Sequence, residues 1–464
     1  MATERPKFDL FSPEERRLTE DELYDNALDV YRIWHAVLGR HRDIIDFDLR
    51  EGPESGESLT SKMIIGSPNP KERSMHVTVL GRLLEQFKKH TPRNPERSHN
   101  LQFGNAQVEA SYWYAKKQAG YKIDTFEYIE MTQTFEPEYF PESLLETLSK
   151  RLLAHAGELT GSSDPATMEK WREANSLSRE GATNLFREKA AQAARRVRHF
   201  TGLYFDTDFD VEPADANEYW WVWANTDPNT GRFLLRQNFS EERHKIWTVG
   251  KTEELGWHEG YHQARMARRR ELIRRGKLHP FFGLTTVHGP EAAVDEGLGQ
   301  TLVYFVPGAY ESLSPEGRLR VDESVLRSMV YGNIHLRIND PRENLSSSQV
   351  VKDIRKYIPW EPKKIIEEEV KDRTTDPLLQ TYRYAYALGV RMMLLYADNL
   401  NDRGKREFLK NIFERPYTLP QVNSLYNRLL TNKKYTAPNV RKEQIPDADG
   451  ENVQDNSFLT QNIA

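Results

Sequence analysis

Apolar residues recur every three to four positions over most of the chain, a period that predicts helices. In "TEDELYDNALDVYRIWHAVLG", starting at Thr19, the residues Leu23, Ala27, Val30, Trp34, Val37 and Leu38 share one face. Thr19 followed by Glu22 has the capping-box pattern, and Gly39 supplies a stop. The same style returns in "PESLLETLSKRLLAHAGEL" from Pro141 and "ATNLFREKAAQAARRVRHFTGL" from Ala182. Strand-like alternation is scarce: "HVTVL" around Val77, "YWWVWA" from Tyr219, and "RFLLRQNF" from Arg232 after the turn-rich "NTDPNTG". From about Asn432 the chain turns polar and unpatterned, which predicts an extended or disordered tail. The expected fold is mainly α with a minor β element. It divides into an N-terminal helical region (1–200), a region carrying the chemistry (201–432) and the tail (433–464).

Composition narrows the function. With 464 residues, 29% of them charged, and a net charge of only -5, the chain has no basic field to draw it to nucleic acid or anionic lipid. No apolar stretch is long enough to span a bilayer, and "MATERPKFDLFSPEERRL" lacks the apolar core of a secretory signal, so the expected compartment is the cytoplasm. The absence of cysteine excludes disulfides, thiolate ligands and a cysteine nucleophile. Any metal must be held by His, Asp or Glu.

That restriction gives weight to "LGWHEGYHQ", in which His258, Glu259 and His262 form H-E-x-x-H. Thr252, Glu253 and Glu254 predict a helix start, Arg274 and Arg275 suit a last turn, and Gly276 predicts the stop. On such a helix His258 and His262 project from one face, with Leu255, Glu259 and Met266 on or beside it. The bland alternative is a pair of hydrogen-bonded core histidines. A catalytic zinc takes three protein ligands and keeps one position open. The third is expected from "HGPEAAVDEGLGQTLVYFV", where Pro290 suits a first helical position, Glu291 the acidic first turn, and Pro307 an end. Glu296 is preferred over its neighbour Asp295, because Gly297 would let this helix lie close to the metal helix.

H-E-x-x-H on one helix and an E-G pair on a later one resemble the gluzincin metallopeptidases. The similarity is greatest to the largely helical thimet oligopeptidase and carboxypeptidase Taq groups. It is closer still to an uncharacterised bacterial family with H-E-x-x-P-G-H-H and E-G-W-A helices. "HEGYH" matches the first signature, without its Pro-Gly insertion, and "DEGLGQTLVY" the second. "TYRYAYALGVRMM" matches a Y-x-x-G helix through Tyr386 and Gly389. The resemblance spans residues 255 to 395 and implies a zinc peptidase, with one Zn2+ on His258, His262 and Glu296 and with Glu259 as general base. In helical gluzincins a Tyr or His stabilises the oxyanion. Tyr386 fits that role, with His288 in reserve, although a Tyr on this amphipathic helix also suits packing. The expected substrate is a peptide or small amide. A metalloenzyme for a specialised small molecule, or a non-catalytic scaffold, are the alternatives.

Two further stretches bear on the substrate. "ARMARRRELIRRGK" reads as the solvated end of the metal helix, with one arginine holding a substrate carboxylate as the lesser alternative. "RFLLRQNF" is either core or the edge strand on which an extended peptide would lie.

Overall fold

A computed structural model describes residues 18–38, 45–48, 70–92, 94–215, 222–226, 233–240, 247–432 and 434–436. Gly39, Tyr219 to Trp221, most of the "NTDPNTG" turn, the first 17 residues and the tail from residue 437 lie outside them. Fifteen α-helices among the described residues, and few strands, make the fold mainly α as the periodicity implies.

The first seven helices are α1 (Glu20–Leu38), α2 (Pro70–Lys89), α3 (Pro95–Gln118), α4 (Thr125–Gln133), α5 (Glu142–Thr160), α6 (Pro165–Ala174) and α7 (Arg179–Thr201). The capping box at α1 forms: Thr19 N donates to Glu22 Oε2 at 2.8 Å, and Glu22 N to Thr19 Oγ1 at 3.3 Å. "HVTVL" is helical, not extended. Its valines sit in α2, where Leu80, Leu83, Leu84 and Phe87 continue a helical period into the core, so tertiary packing overrides local β preference.

The long α8 (Val249–Arg274) is followed by α9 (Ala292–Phe305), α10 (Pro315–Asn339), α11 (Ser347–Tyr357), α12 (Lys363–Thr375), α13 (Pro377–Asn399), α14 (Asp402–Glu414) and α15 (Leu419–Leu430). No described helix is long and apolar enough to cross a membrane. Strand β1 (Ile45–Asp48) pairs with β5 (Leu284–Thr286), while β2 (Phe209–Ala214), β3 (Val222–Thr226) and β4 (Phe233–Asn238) form a sheet in the order β2-β4-β3. "RFLLRQNF" is therefore the central strand, its backbone used on both sides, and cannot be the edge that receives a peptide. Among the described strands the edges of this sheet are β2 and β3, and it is β3 that lines the site described below.

One hydrophobic cluster joins α7, α8, α9, α13, α14 and α15, a second ties α1, α2 and α3 to residues 272–287, and a third gathers α5 and α10 to α13. The expected division at residue 200 cuts through the first cluster. A Cβ on Gly260 of α8 would stand 2.6 Å from the Ala190 carbonyl oxygen of α7, so these two helices are packed at backbone contact. The start of the expected tail is likewise held, since Asn401 N donates to the Tyr435 carbonyl at 3.0 Å.

Candidate metal centre

The site is built where α8, α9 and α13 meet. Helix α8 begins one turn earlier than Thr252 predicts: Thr248 is its N-cap and accepts from Lys251 N at 3.4 Å. Thr252, Glu253 and Glu254 are buried inside the helix instead. Glu253 accepts from Ser314 N at 3.0 Å and pairs with Lys189 at 3.0 Å, and Glu254 pairs with Lys251 at 2.7 Å. At the other end Gly276 adopts the left-handed φ of +63° expected of a helix stop.

The arginine run is not a solvated end throughout. Arg265 and Arg269 are fully buried, and both pair with Glu291; Arg265 also pairs with Asp295. Cations four apart on α8 thus meet acids four apart at the start of α9, since charges are kept in an interior only as pairs. Glu291 is consequently a buried partner preceding Ala292, not an exposed acid of a first turn. Burial pushes its carboxyl up, but Arg265 and Arg269 outweigh that and hold it below its ordinary value. Asp295 is excluded as the rival ligand, because Arg265 and the Tyr261 hydroxyl, at 3.3 Å, occupy it.

His258, His262 and Glu296 converge as the spacing predicts. The two Nε2 atoms are 3.1 Å apart, and Glu296 Oε2 lies 3.3 Å from that of His258 and 3.9 Å from that of His262. Gly297 does not bring this about by approaching the metal helix. A Cβ there would stand 2.5 Å from Gly389 C, so Gly297 lets α9 and α13 touch backbone to backbone. The approach to α8 belongs to Gly299, where a Cβ would lie 2.7 Å from the His258 ring. The sequence points to Gly297 for the approach to the metal helix, and the structure gives that approach to Gly299.

Helix α13 contributes two tyrosines. Tyr382 donates to Glu296 Oε1 at 2.9 Å, and its oxygen is 2.9 Å from that of Tyr386. Both tyrosines, His258 and Glu259 line two cavities, of about 230 Å³ and about 110 Å³, which meet at these residues. Val222 of β3 lines both cavities, and Ala224 the smaller one. His288 is elsewhere. It is fully buried, stacked on Tyr114 with ring centroids 4.4 Å apart, and its Nε2 is 2.9 Å from Ser111 Oγ. The reserve donor is therefore withdrawn: this imidazole completes the packing between α3 and the loop before α9.

Burial pushes the Glu259 carboxyl up to about 7, against the pull of His258. Burial also lowers His262 to about 3, leaving a neutral imidazole with a lone pair. For Glu296 burial acts upward, but the close approach of His258, then the His262 ring and the Tyr386 hydroxyl, bring it to about 2. A tetrahedral zinc with ligands at about 2.0–2.1 Å needs donor atoms roughly 3.3 Å apart, which the three observed separations bracket. The buried Glu296 Oε2 makes no hydrogen bond of its own, so two imidazoles and an available carboxylate oxygen fit zinc in number, chemistry and spacing.

No family model and no curated protein matches this chain. A solved structure, that of a candidate lipoprotein from Colwellia psychrerythraea, is similar over 79% of this chain and 71% of that one, with a TM-score of 0.52 and 11% identity. At that identity the likeness is one of fold.

Proposed function

We propose that this protein is a zinc-dependent hydrolase of the gluzincin type that cleaves a peptide or small amide bond. The cytoplasm is the compartment assigned to it. The observation that carries the reading is the convergence of His258, His262 and Glu296 beside a buried, cavity-lining Glu259. Zinc bound there supplies a Lewis acid that polarises a carbonyl and brings the pKa of water near 7. Glu259, raised to about 7, takes the proton of the attacking water and returns it to the amine nitrogen as the C–N bond breaks. Tyr386, on the cavity wall, donates to the carbonyl oxygen as charge develops on it. Tyr382 holds the Glu296 carboxylate through Oε1 and leaves Oε2 for the metal. Val222 and Ala224 put strand β3 beside the reacting bond, which suits an extended substrate.

The test is metal content of the full chain purified without added zinc, followed by peptide-library hydrolysis by wild type and Glu259→Gln. One zinc per chain is expected in both, with turnover in the variant lower by about 10² or more. Equal turnover in the two proteins, or retained zinc in both His258→Ala and His262→Ala, would overturn the assignment.

A further inference from the structure

The larger cavity runs from His258 and Glu259 to a wall of arginines, Arg320 and Arg373 buried and the others half-buried. Arg172, Arg320, Arg327, Arg373 and Arg383 line it, from α6, α10, α12 and α13. Their carboxylate partners are shared. Glu323 lies between Arg172, at 2.7 Å, and Arg320, at 2.8 Å. Glu361, also in the lining, pairs with Arg327 at 3.0 Å, and Glu369 serves Arg373 at 3.3 Å, Arg383 at 3.5 Å and, at 3.6 Å, Arg327 as well. A guanidinium carries five N–H donors, and a carboxylate offers about four acceptor sites, so sharing leaves donors over. Donors on two of these arginines are left in this way. Arg320 Nη2 and Arg172 Nε are buried and make no hydrogen bond, and Arg320, with its side chain 4% exposed, reaches Glu316 only through Nε at 3.5 Å. A buried donor without an acceptor is destabilising, more so when charged, and an anionic ligand in the cavity would satisfy it.

The smaller cavity contrasts with this one. No described arginine lines it: beyond the residues of the site its walls include Ala224, Met266 and Ala292 with the neutral polar Gln107, Thr285 and Thr286, and its remaining acids, Glu291 and Asp295, are engaged by Arg265. We infer that the substrate is a small amide of two unlike halves, with an anionic group seated among Arg172, Arg320 and Arg327 and a short neutral group on the far side of the scissile bond. A cavity of about 230 Å³ is below the roughly 300–1,000 Å³ of drug-sized sites, which limits the anionic half to about one residue. The cutting of the bond rests on the hydrolase reading above; the anion site stands on binding alone.

The test uses the zinc-loaded full chain carrying Glu259→Gln and titration calorimetry with three probes. These are an N-acetyl dialanine with a free carboxylate, its C-terminal carboxamide, and a carboxamide in which phosphoserine replaces the last alanine. The free acid or the phosphorylated peptide should bind about tenfold or more tightly than the carboxamide, and whichever binds better identifies the anion. Adding Arg320→Lys, which keeps the charge but loses the planar fork, should cut that advantage to about threefold or less. Arg172→Gln should do the same, and it carries the test if the first variant fails to fold. Equal binding of charged and neutral probes, or an advantage surviving in both variants, overturns the anion site. Wild type that binds the acid through these arginines but hydrolyses nothing sinks the hydrolase and leaves the anion site standing. Equal kcat/KM for the acid and the carboxamide does the reverse.

Discussion

At the scale of single residues, similar side chains are separated by what surrounds them. Glu259 and Glu296 are both buried carboxylates on neighbouring helices, yet one is pushed up to about 7, chiefly by burial with the charges of Glu296 and Glu254 adding to it, and the other is held near 2 by the two imidazoles beside it. The first can carry a proton at neutral pH, and the second offers a charged oxygen. Tyr386 and Tyr382 divide in the same way. Tyr386→Phe should lower turnover by roughly 10² to 10³ with KM little changed, because its bond matters mainly in the transition state. Tyr382→Phe removes the bond to Glu296 Oε1, a carboxylate that Tyr386 also reaches, so it should weaken zinc affinity about 10- to 100-fold in a competition with chelator. If the two variants exchange these signatures, the roles are reversed. Reading the sequence picked out the three residues that converge and the Glu259 beside them, since i,i+4 spacing and H-E-x-x-H are local. It could not rank Asp295 against Glu296 with certainty of cause, because what removes Asp295 is Arg265, thirty positions away in the chain.

At the scale of elements, the site depends on close helix contacts and one buried ionic lock. A Cβ on Gly389 would stand 1.9 Å from the Ala293 carbonyl oxygen, a backbone atom that cannot swing aside. Gly389→Ala should therefore force α9 and α13 apart and lower both the thermal midpoint and zinc content. Gly157 of α5 makes the control, since nothing lies within 4 Å of a Cβ there, and its replacement by Ala should stabilise by about 0.5–1 kcal/mol. Equal effects at the two sites would refute the close-contact argument. The lock of Arg265 and Arg269 on Glu291 ties α8 to the start of α9. Glu291→Gln leaves two buried guanidiniums short of a counter-charge and should cost about 3–5 kcal/mol in denaturant unfolding. Helices α1, α5, α7 and α13 were readable from apolar period and caps. The start of α8 was not, because its cap Thr248 looks no better than Thr252 until Glu316 is folded against Gly250 N at 2.8 Å.

Over the whole molecule, ionic groups buried between helices set the response to acid. Burial pushes Glu369 up, but Arg383, Arg373 and Arg327 outweigh it and hold the carboxyl at about 2, against an ordinary 4.5. A folded value below the unfolded one means that its stabilisation is complete above about pH 4.5 and is lost as pH falls towards 2. The thermal midpoint should drop through that window, and Glu369→Gln should flatten the drop; a curve of unchanged slope would show that other groups govern it. The sequence by itself determined the helical class, the absence of any thiol chemistry, the H-E-x-x-H face and the helix carrying Glu296, because period, composition and four-residue spacing are local properties. Only the tertiary structure decided that His288 is packing, that β4 is central between β2 and β3, that one hydrophobic cluster runs across residue 200, and that Gly299 rather than Gly297 meets His258. The same holds for the arginine-lined cavity, whose wall comes from four helices spread between Arg172 and Arg383. Each of these depends on which distant segments pack together, and burial between them assigns a charged or aromatic side chain its partner.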